Sequence, residues 1–303
     1  MSDKNSTNVR IGKADLGRAA LRSLHRVAPG AAAAVAARMF VTPVRRRAGA
    51  ASSDATPFEV RVDGMRVRGW SWGAGPVVVL SHGWSGHGLQ LAAMAQAIAR
   101  RGHRAVVFDH PAHGRSDGRT ATLPRMATAL AAVAEHHGGA AAVVAHSLGA
   151  VAATIALAGG LEVERAVYLA PPARPDAWIG RFTQVMGLPG DAGVRVRAAV
   201  EARAHATVES IDPIALATGM TADLLVIHDR GDREVPVAAG EALVAAWPDA
   251  RILHTDGLGH NRVLRDPSVV TTVGAFATGG SAEPVELRDP HMIDFASQVS
   301  SAL

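Results

Sequence analysis

The chain has 303 residues, of which 48% are hydrophobic and 19% charged, and its formal net charge is +4. This composition can bury a large core and is not typical of a disordered protein. The absence of cysteine excludes disulfides, thiolate nucleophiles and cysteine-type zinc sites, and it leaves the redox compartment open.

The excess of positive over negative charge is confined to the N-terminal segment. Residues 1–57 hold ten Lys/Arg against three Asp/Glu, whereas the rest of the chain holds 21 against 24. We therefore predict a basic helical extension with a linker over residues 1–56, and no nucleic-acid-binding surface on the body. Within the extension, helical spacing predicts an amphipathic helix over 15–28 and an alanine-rich helix over 31–40.

The helix over 15–28 has two interpretations. Its alanine-rich apolar stripe lacks an aromatic anchor, which favours docking on the rest of the protein over contact with an anionic membrane surface. The apolar run over 31–41 lies far from the start and is interrupted by Arg38, which is not typical of a secretory signal. We expect a cytoplasmic protein, with peripheral membrane contact as the alternative.

The sequence of the remaining body, residues 57–278, predicts an α/β fold. Alternating residues on either side of Asp63-Gly64 indicate an antiparallel hairpin over 58–72. Unbroken apolar strands separated by helices follow, which is typical of a mainly parallel twisted sheet with helices on both faces. The predicted strands cover 77–80, 105–108, 141–145, 166–169, 224–227 and 251–253, and the helices cover 89–100, 123–136, 148–157 and 237–246.

One interval breaks the alternation. After the sixth strand, residues 171–217 are helical and contain no strand, which predicts a small helical insertion, here called the cap. Trp178, Phe182 and Met186 predict an apolar lining for a substrate pocket, or the core of the cap itself. The predicted domains are thus the extension, a body over 57–278 that includes the cap, and a tail over 279–303.

A serine stands between a buried strand and a helix in Ala145-His146-Ser147-Leu148-Gly149. Small residues two positions before and after a serine are typical of a nucleophile elbow, whose usual pattern is G-x-S-x-G. Ala145 departs from that pattern by one methyl group at a crowded point. A short motif needs structural context, and the other strand ends supply it.

Ligands of open α/β sheets bind beyond the carboxyl ends of the strands. Polar residues follow these ends in the order His82-Gly83-Trp84, Asp109 to Ser116, Ser147, Asp229 with Asp232, and Gly259-His260. This series of motifs, with serine, acid and histidine in that order, resembles the α/β-hydrolase superfamily, in particular its capped, lipase- or esterase-like serine hydrolases. The resemblance runs from about residue 58 to 276.

The resemblance implies roles for five residues. Ser147 would be the nucleophile, His260 its base, and an aspartate the partner of the imidazole. Asp229 and Asp232 both follow the strand, and the family's Val-Pro step after the acid favours Asp232. Backbone N–H groups of Trp84 and Leu148 would hold the oxyanion. The family also implies that the loop after Asp109 shapes the pocket wall and that His146 has a packing role.

The predicted function is hydrolysis of carboxylic esters with small or medium apolar acyl groups, with a small-molecule substrate and no cofactor. Serine at the elbow argues against the branches of the fold that use aspartate there. His82 belongs to the oxyanion loop, and histidines 87, 103, 110 and 113 do not share a helical or strand face with a carboxylate, so no metal site is predicted. Acyl transfer or thioester hydrolysis on the same fold is the alternative, and a non-catalytic scaffold with a membrane-surface helix is a less favoured one. The sequence leaves the oligomeric state open.

Overall fold

The computed structural model describes residues 13–46 and 48–280. Residues 1–12, Arg47 and the part of the predicted tail from 281 onward lie outside the described residues. Eight strands run in chain order: β1 (Thr56–Val62), β2 (Met65–Trp72), β3 (Val77–Ser81), β4 (Arg104–Phe108), β5 (Ala142–His146), β6 (Arg165–Leu169), β7 (Asp223–Asp229) and β8 (Ala250–Thr255).

The strands of the described residues form one sheet in the order β1-β2-β4-β3-β5-β6-β7-β8. β1 and β2 pair as an antiparallel hairpin, and β2 is antiparallel to β4. Asp63 and Gly64 turn this hairpin with φ of 48° and 76°, the left-handed values that its tight turn requires. β3 to β8 are parallel to their neighbours. The predicted fold class is confirmed.

Helices cover both faces of the sheet. In chain order they are α1 (Lys13–Val27), α2 (Pro29–Phe40), α3 (Ala92–Ala99), α4 (Leu123–His136), α5 (Leu148–Ala158), α6 (Pro175–Val185), α7 (Ala192–Ala204), α8 (Pro213–Ala217), α9 (Val237–Ala246), α10 (Gly259–Arg262) and α11 (Pro267–Ala277). One hydrophobic core lies between the sheet and α4, α5, α8 and α9, and a second lies between the sheet and α3 and α11. Because both faces are covered, the central strands are apolar on both sides.

A third hydrophobic core lies away from the sheet. It joins α1 and α2 to the cap helices α6 and α7, with Leu21 and Ala36 packed among residues such as Ile179 and Val196. Leu21 and Leu24 of the basic helix thus pack within the protein, whereas Leu16 and Val27 of the same predicted stripe are exposed. The predicted domain boundaries at 56 and 278 stay predictions. Within 13–46 and 48–280, every helix is too short or too polar to cross a bilayer.

Candidate active site

The serine elbow joins β5 to α5 in a strained conformation. Ser147 has φ 51° and ψ −127°, a region that non-glycine residues rarely adopt. Its N–H donates to the carbonyl of Leu169 on the neighbouring strand at 2.9 Å. A Cβ on Gly149 would lie 2.5 Å from the carbonyl oxygen of His82, so only glycine fits there. Ala145 is fully buried in β5, and its methyl group is accommodated.

An aspartate and a histidine meet beside this elbow. Asp232 follows β7, and His260 lies in α10, just after β8. The Nδ1 of His260 donates to Oδ2 of Asp232 at 2.7 Å. The other carboxylate oxygen of Asp232 accepts from the N–H groups of Glu234 and Val235, at 2.8 and 3.0 Å. The imidazole is therefore held with Nδ1 protonated and Nε2 free to act.

The environment of Asp232 favours its ionised form. Burial raises the pKa of the carboxyl, but the hydrogen bonds from His260, Val235 and Glu234 together outweigh it and lower the pKa below its ordinary value. An ionised carboxylate at this position stabilises a positively charged imidazole during proton transfer.

Asp229 occupies a different position in the same loop region. Its carboxylate accepts from the N–H of Gly231 at 2.9 Å, the hydroxyl of Thr255 at 2.9 Å and the N–H of Leu258 at 2.8 Å. These bonds tie the end of β7 to the loop that carries His260, and the hydrogen bond to the imidazole comes from Asp232 instead. Asp256, also near His260 in sequence, forms an exposed ion pair with Arg230.

Ser147 and His260 line the same cavity, of about 480 Å³, together with Leu148 and Trp84. The structure has no hydrogen bond between the hydroxyl and the imidazole among the described residues, and in ligand-free enzymes such bonds are often long. Within the described part of the chain, the N–H groups of Trp84 and Leu148 donate no hydrogen bond, so both are available to a ligand.

The cap contributes unequally to the cavity. Trp178 and Phe182 line it, and so do Ile179 and Val185. Met186 was predicted with them, but it packs in the core shared by the cap and the N-terminal helices. Phe182 and Met186 are four residues apart, so helical periodicity alone does not separate the side chain that lines the cavity from the one that packs in the core.

The loop after β4 braces the site from behind. Asp109 accepts from the N–H groups of Gly88 and Arg115, both at 2.7 Å. A Cβ on Gly114 would lie 2.1 Å from that carboxylate, so the loop closes tightly around it. Among the described residues, this region reaches the cavity only through 121–124, not through 109–116. Ala112 and His113 of this loop pack against Trp84, which lines the cavity. The role of the loop in shaping the pocket wall stays a prediction.

His146, the last residue of β5, holds the backbone of His260 in place. Its Nε2–H donates to the backbone carbonyl of His260 at 3.0 Å. Burial, together with the nearby His260 imidazole, lowers the pKa of His146 to about 3, so the ring is neutral at physiological pH. The sequence indicated only packing here, because 114 residues separate the partners.

Three further buried imidazoles, those of His82, His110 and His113, lie close together beside Trp84. The Nε2 of His82 accepts from the N–H of His110 at 3.0 Å, and the ring of His113 is 5.1 Å from that of His82. Burial lowers the pKa of His113 to about 4, and burial also holds the pKa of His82 and His110 well below its ordinary value. All three rings are therefore neutral in the folded protein near pH 7.

This cluster predicts a loss of stability in mild acid. An unfolded histidine titrates near pH 6.5, so below that pH the unfolded state binds more protons than the folded state. The free energy of unfolding therefore keeps its full value above about pH 6.5. It falls toward pH 4, by up to about 1.4 kcal/mol per pH unit for each imidazole. Urea unfolding at several pH values in this interval measures the effect. His113→Gln should reduce the slope, and a free energy of unfolding that stays constant would contradict the prediction.

Comparisons with known proteins agree with this architecture. The family described as "alpha/beta hydrolase fold" matches residues 76–180. No curated protein sequence matches the chain. Among solved structures, Rv0554 from Mycobacterium tuberculosis is similar with 22% identity and a TM-score of 0.58, over 72% of this chain and 96% of that chain.

Two further neighbours have descriptions that name an activity. An esterase from Pyrococcus furiosus is 20% identical with a TM-score of 0.57, over 74% of this chain and 91% of its own. The thioesterase domain from the curacin biosynthetic pathway is 14% identical with a TM-score of 0.56, over 74% and 99%. At these identities the likeness establishes the fold. The chain has the α/β-hydrolase fold, and the resemblance seen in its motifs is confirmed at that level.

Proposed function

We propose that the protein is a serine hydrolase that cleaves carboxylic esters through an acyl-enzyme. The observation that carries this proposal is the convergence of three distant residues. Ser147, in a strained turn, lines one cavity with His260, and His260 is hydrogen-bonded to Asp232 at 2.7 Å. Strained backbone at a nucleophile position is typical of sites where the strain exposes the reacting atom.

The hydrogen bond between His260 and Asp232 supports the following path for the protons. The Nδ1–H of His260 is engaged by Asp232, so Nε2 takes the proton from the Ser147 hydroxyl as its oxygen attacks the ester carbonyl. The tetrahedral oxyanion accepts from the free N–H groups of Trp84 and Leu148. Nε2–H then protonates the departing alkoxide, which leaves the acyl group on Ser147. Water, deprotonated by the same Nε2, releases the acid and restores the serine.

The lining of the cavity favours an apolar acyl group. Aromatic and aliphatic side chains from the cap, including Trp178, Ile179 and Phe182, surround the space next to Ser147. A volume of about 480 Å³ is in the range of small-molecule sites and suits an acyl chain of small to medium length. The substrate we infer is a small carboxylic ester, as in the esterases that share the fold.

Turnover of p-nitrophenyl esters from acetate to octanoate tests this proposal. We expect hydrolysis of the series with the free acid recovered as product, and higher kcat/KM for medium chains than for acetate, because longer chains bury more apolar surface. An added alcohol or thiol acceptor distinguishes the alternative: transfer of the acyl group to the acceptor in preference to water would indicate an acyltransferase. Faster cleavage of the matched thioesters would indicate a thioesterase. Absence of turnover with every ester and thioester would overturn the proposal.

A further inference from the structure

The cavity beside Ser147 is walled by two parts of the chain that are far apart in sequence. The cap supplies one wall through Trp178 and Phe182, as described above. Four further lining residues lie at the end of α2 and just beyond it: Met39, Phe40, Val41 and Thr42. Residues that precede the hydrolase body thus contact the same space as the elbow serine.

The N-terminal helices and the cap are packed as one unit. α2 runs along α7, and its alanines at 32, 33, 36 and 37 are buried in the core that also contains Val196 and Val200. Small side chains let the two helix backbones approach closely, which fixes α2 against the cap. The end of α2 therefore has a defined place at the cavity.

Beyond α2, the chain is anchored to the loops around the elbow. The carbonyl of Val41 accepts from the N–H of Ala121 at 2.8 Å, and the N–H of Val44 donates to the hydroxyl of Ser85 at 2.9 Å. The guanidinium of Arg45 donates to the carbonyls of Gly114, Ser116 and Gly118, at 3.2, 2.7 and 2.7 Å. Ser85 directly follows Trp84, whose N–H is proposed to bind the oxyanion.

One aromatic contact joins the two walls. The rings of Phe40 and Phe182 meet edge to face, with centroids 5.3 Å apart and an angle of 69° between their planes. Both rings line the cavity. Edge-to-face pairs of this kind add a specific attraction to the apolar contact, which holds the two rings in place.

We propose that residues 39–42 form one wall of the acyl-binding site and that Phe40 sets the size of acyl group it accepts. This inference rests on the proposed esterase function. Truncation of Phe40 opens space next to the acyl chain and leaves Ser147, His260 and Asp232 untouched. Each additional methylene that a pocket can bury changes the rate several-fold or more, so selectivity should respond strongly to this residue.

The test compares acyl-chain selectivity in two matched variants of the full chain. Phe40→Ala should raise the ratio of kcat/KM for p-nitrophenyl decanoate over butanoate by about tenfold. Phe40→Trp, which reduces the space, should shift the ratio toward butanoate. Val35 lies on the same helix, is exposed and does not line the cavity, so Val35→Ala should keep the wild-type ratio.

Labelling by a small fluorophosphonate separates this inference from the proposed function. Wild-type protein that neither reacts nor turns over esters would refute the esterase, and the inference with it. A Phe40→Ala protein that folds and labels at the wild-type rate, but keeps the wild-type chain-length ratio, would refute the inference alone. If Phe40→Ala fails to fold, an unchanged ratio in Phe40→Trp would do the same.

Discussion

Replacement of Ser147 by alanine is expected to lower kcat/KM for p-nitrophenyl butanoate by about a thousandfold or more. Alanine removes the only atom that can form the acyl-enzyme and keeps the packing of the elbow. His260→Ala should cause a similar loss because the hydroxyl then has no base. Since the two residues act in one step, the double variant should be no slower than either single variant.

The control for this prediction is Ser268→Ala, which removes a serine hydroxyl at the start of α11 that is bonded to Asp266 and does not line the cavity. It should retain wild-type turnover. Turnover within tenfold of wild type in Ser147→Ala, or effects of the two single variants that multiply in the double variant, would contradict the assigned roles.

Replacement of Asp232 by asparagine is expected to cost about a thousandfold or more in kcat/KM. An amide cannot stabilise the imidazolium, and it can reverse the tautomer of His260 by donating to Nδ1. The pH profile adds a second readout: if Asp232 acts through His260, Asp232→Asn should shift the pH dependence of kcat/KM, which a loss of folded protein alone would not do.

Asp229→Asn is the matched control for Asp232→Asn. Asp229 accepts three hydrogen bonds from the loops that carry the site, and the imidazole of His260 is bonded to Asp232 instead. Asp229→Asn should therefore lower the free energy of unfolding and reduce kcat/KM by about tenfold at most. If Asp229→Asn proved the more damaging of the two, the assignment of the acid would be reversed.

The sequence predicts the sheet and the elbow well because their signals are local. Unbroken apolar runs such as 77–80 and 166–169 indicate buried parallel strands, and each lies within a strand of the structure. The small residues around Ser147 also form a short sequence pattern, although the contact that requires glycine at 149 is with the end of β3. The choice between Asp229 and Asp232 could not be made from position alone, because both follow the same strand.

The parts that the sequence did not predict depend on contacts between distant residues. The alanine-rich pattern of α2 indicates a buried helix face but not its partner, α7, about 160 residues further along the chain. In the sequence, Phe40 is one apolar residue at the end of a predicted helix, and its contact with Phe182 forms only in the folded protein. Met186 and His146 show the same limit, since the burial of one and the hydrogen bond of the other are set by tertiary packing.

The most direct measurement of the central claim is covalent labelling by a fluorophosphonate, followed by mass spectrometry of the digested protein. The account predicts one stoichiometric adduct, on the peptide that contains Ser147, with labelling abolished in Ser147→Ala and strongly slowed in His260→Ala. An adduct on another residue, or ester turnover that survives in Ser147→Ala, would contradict it.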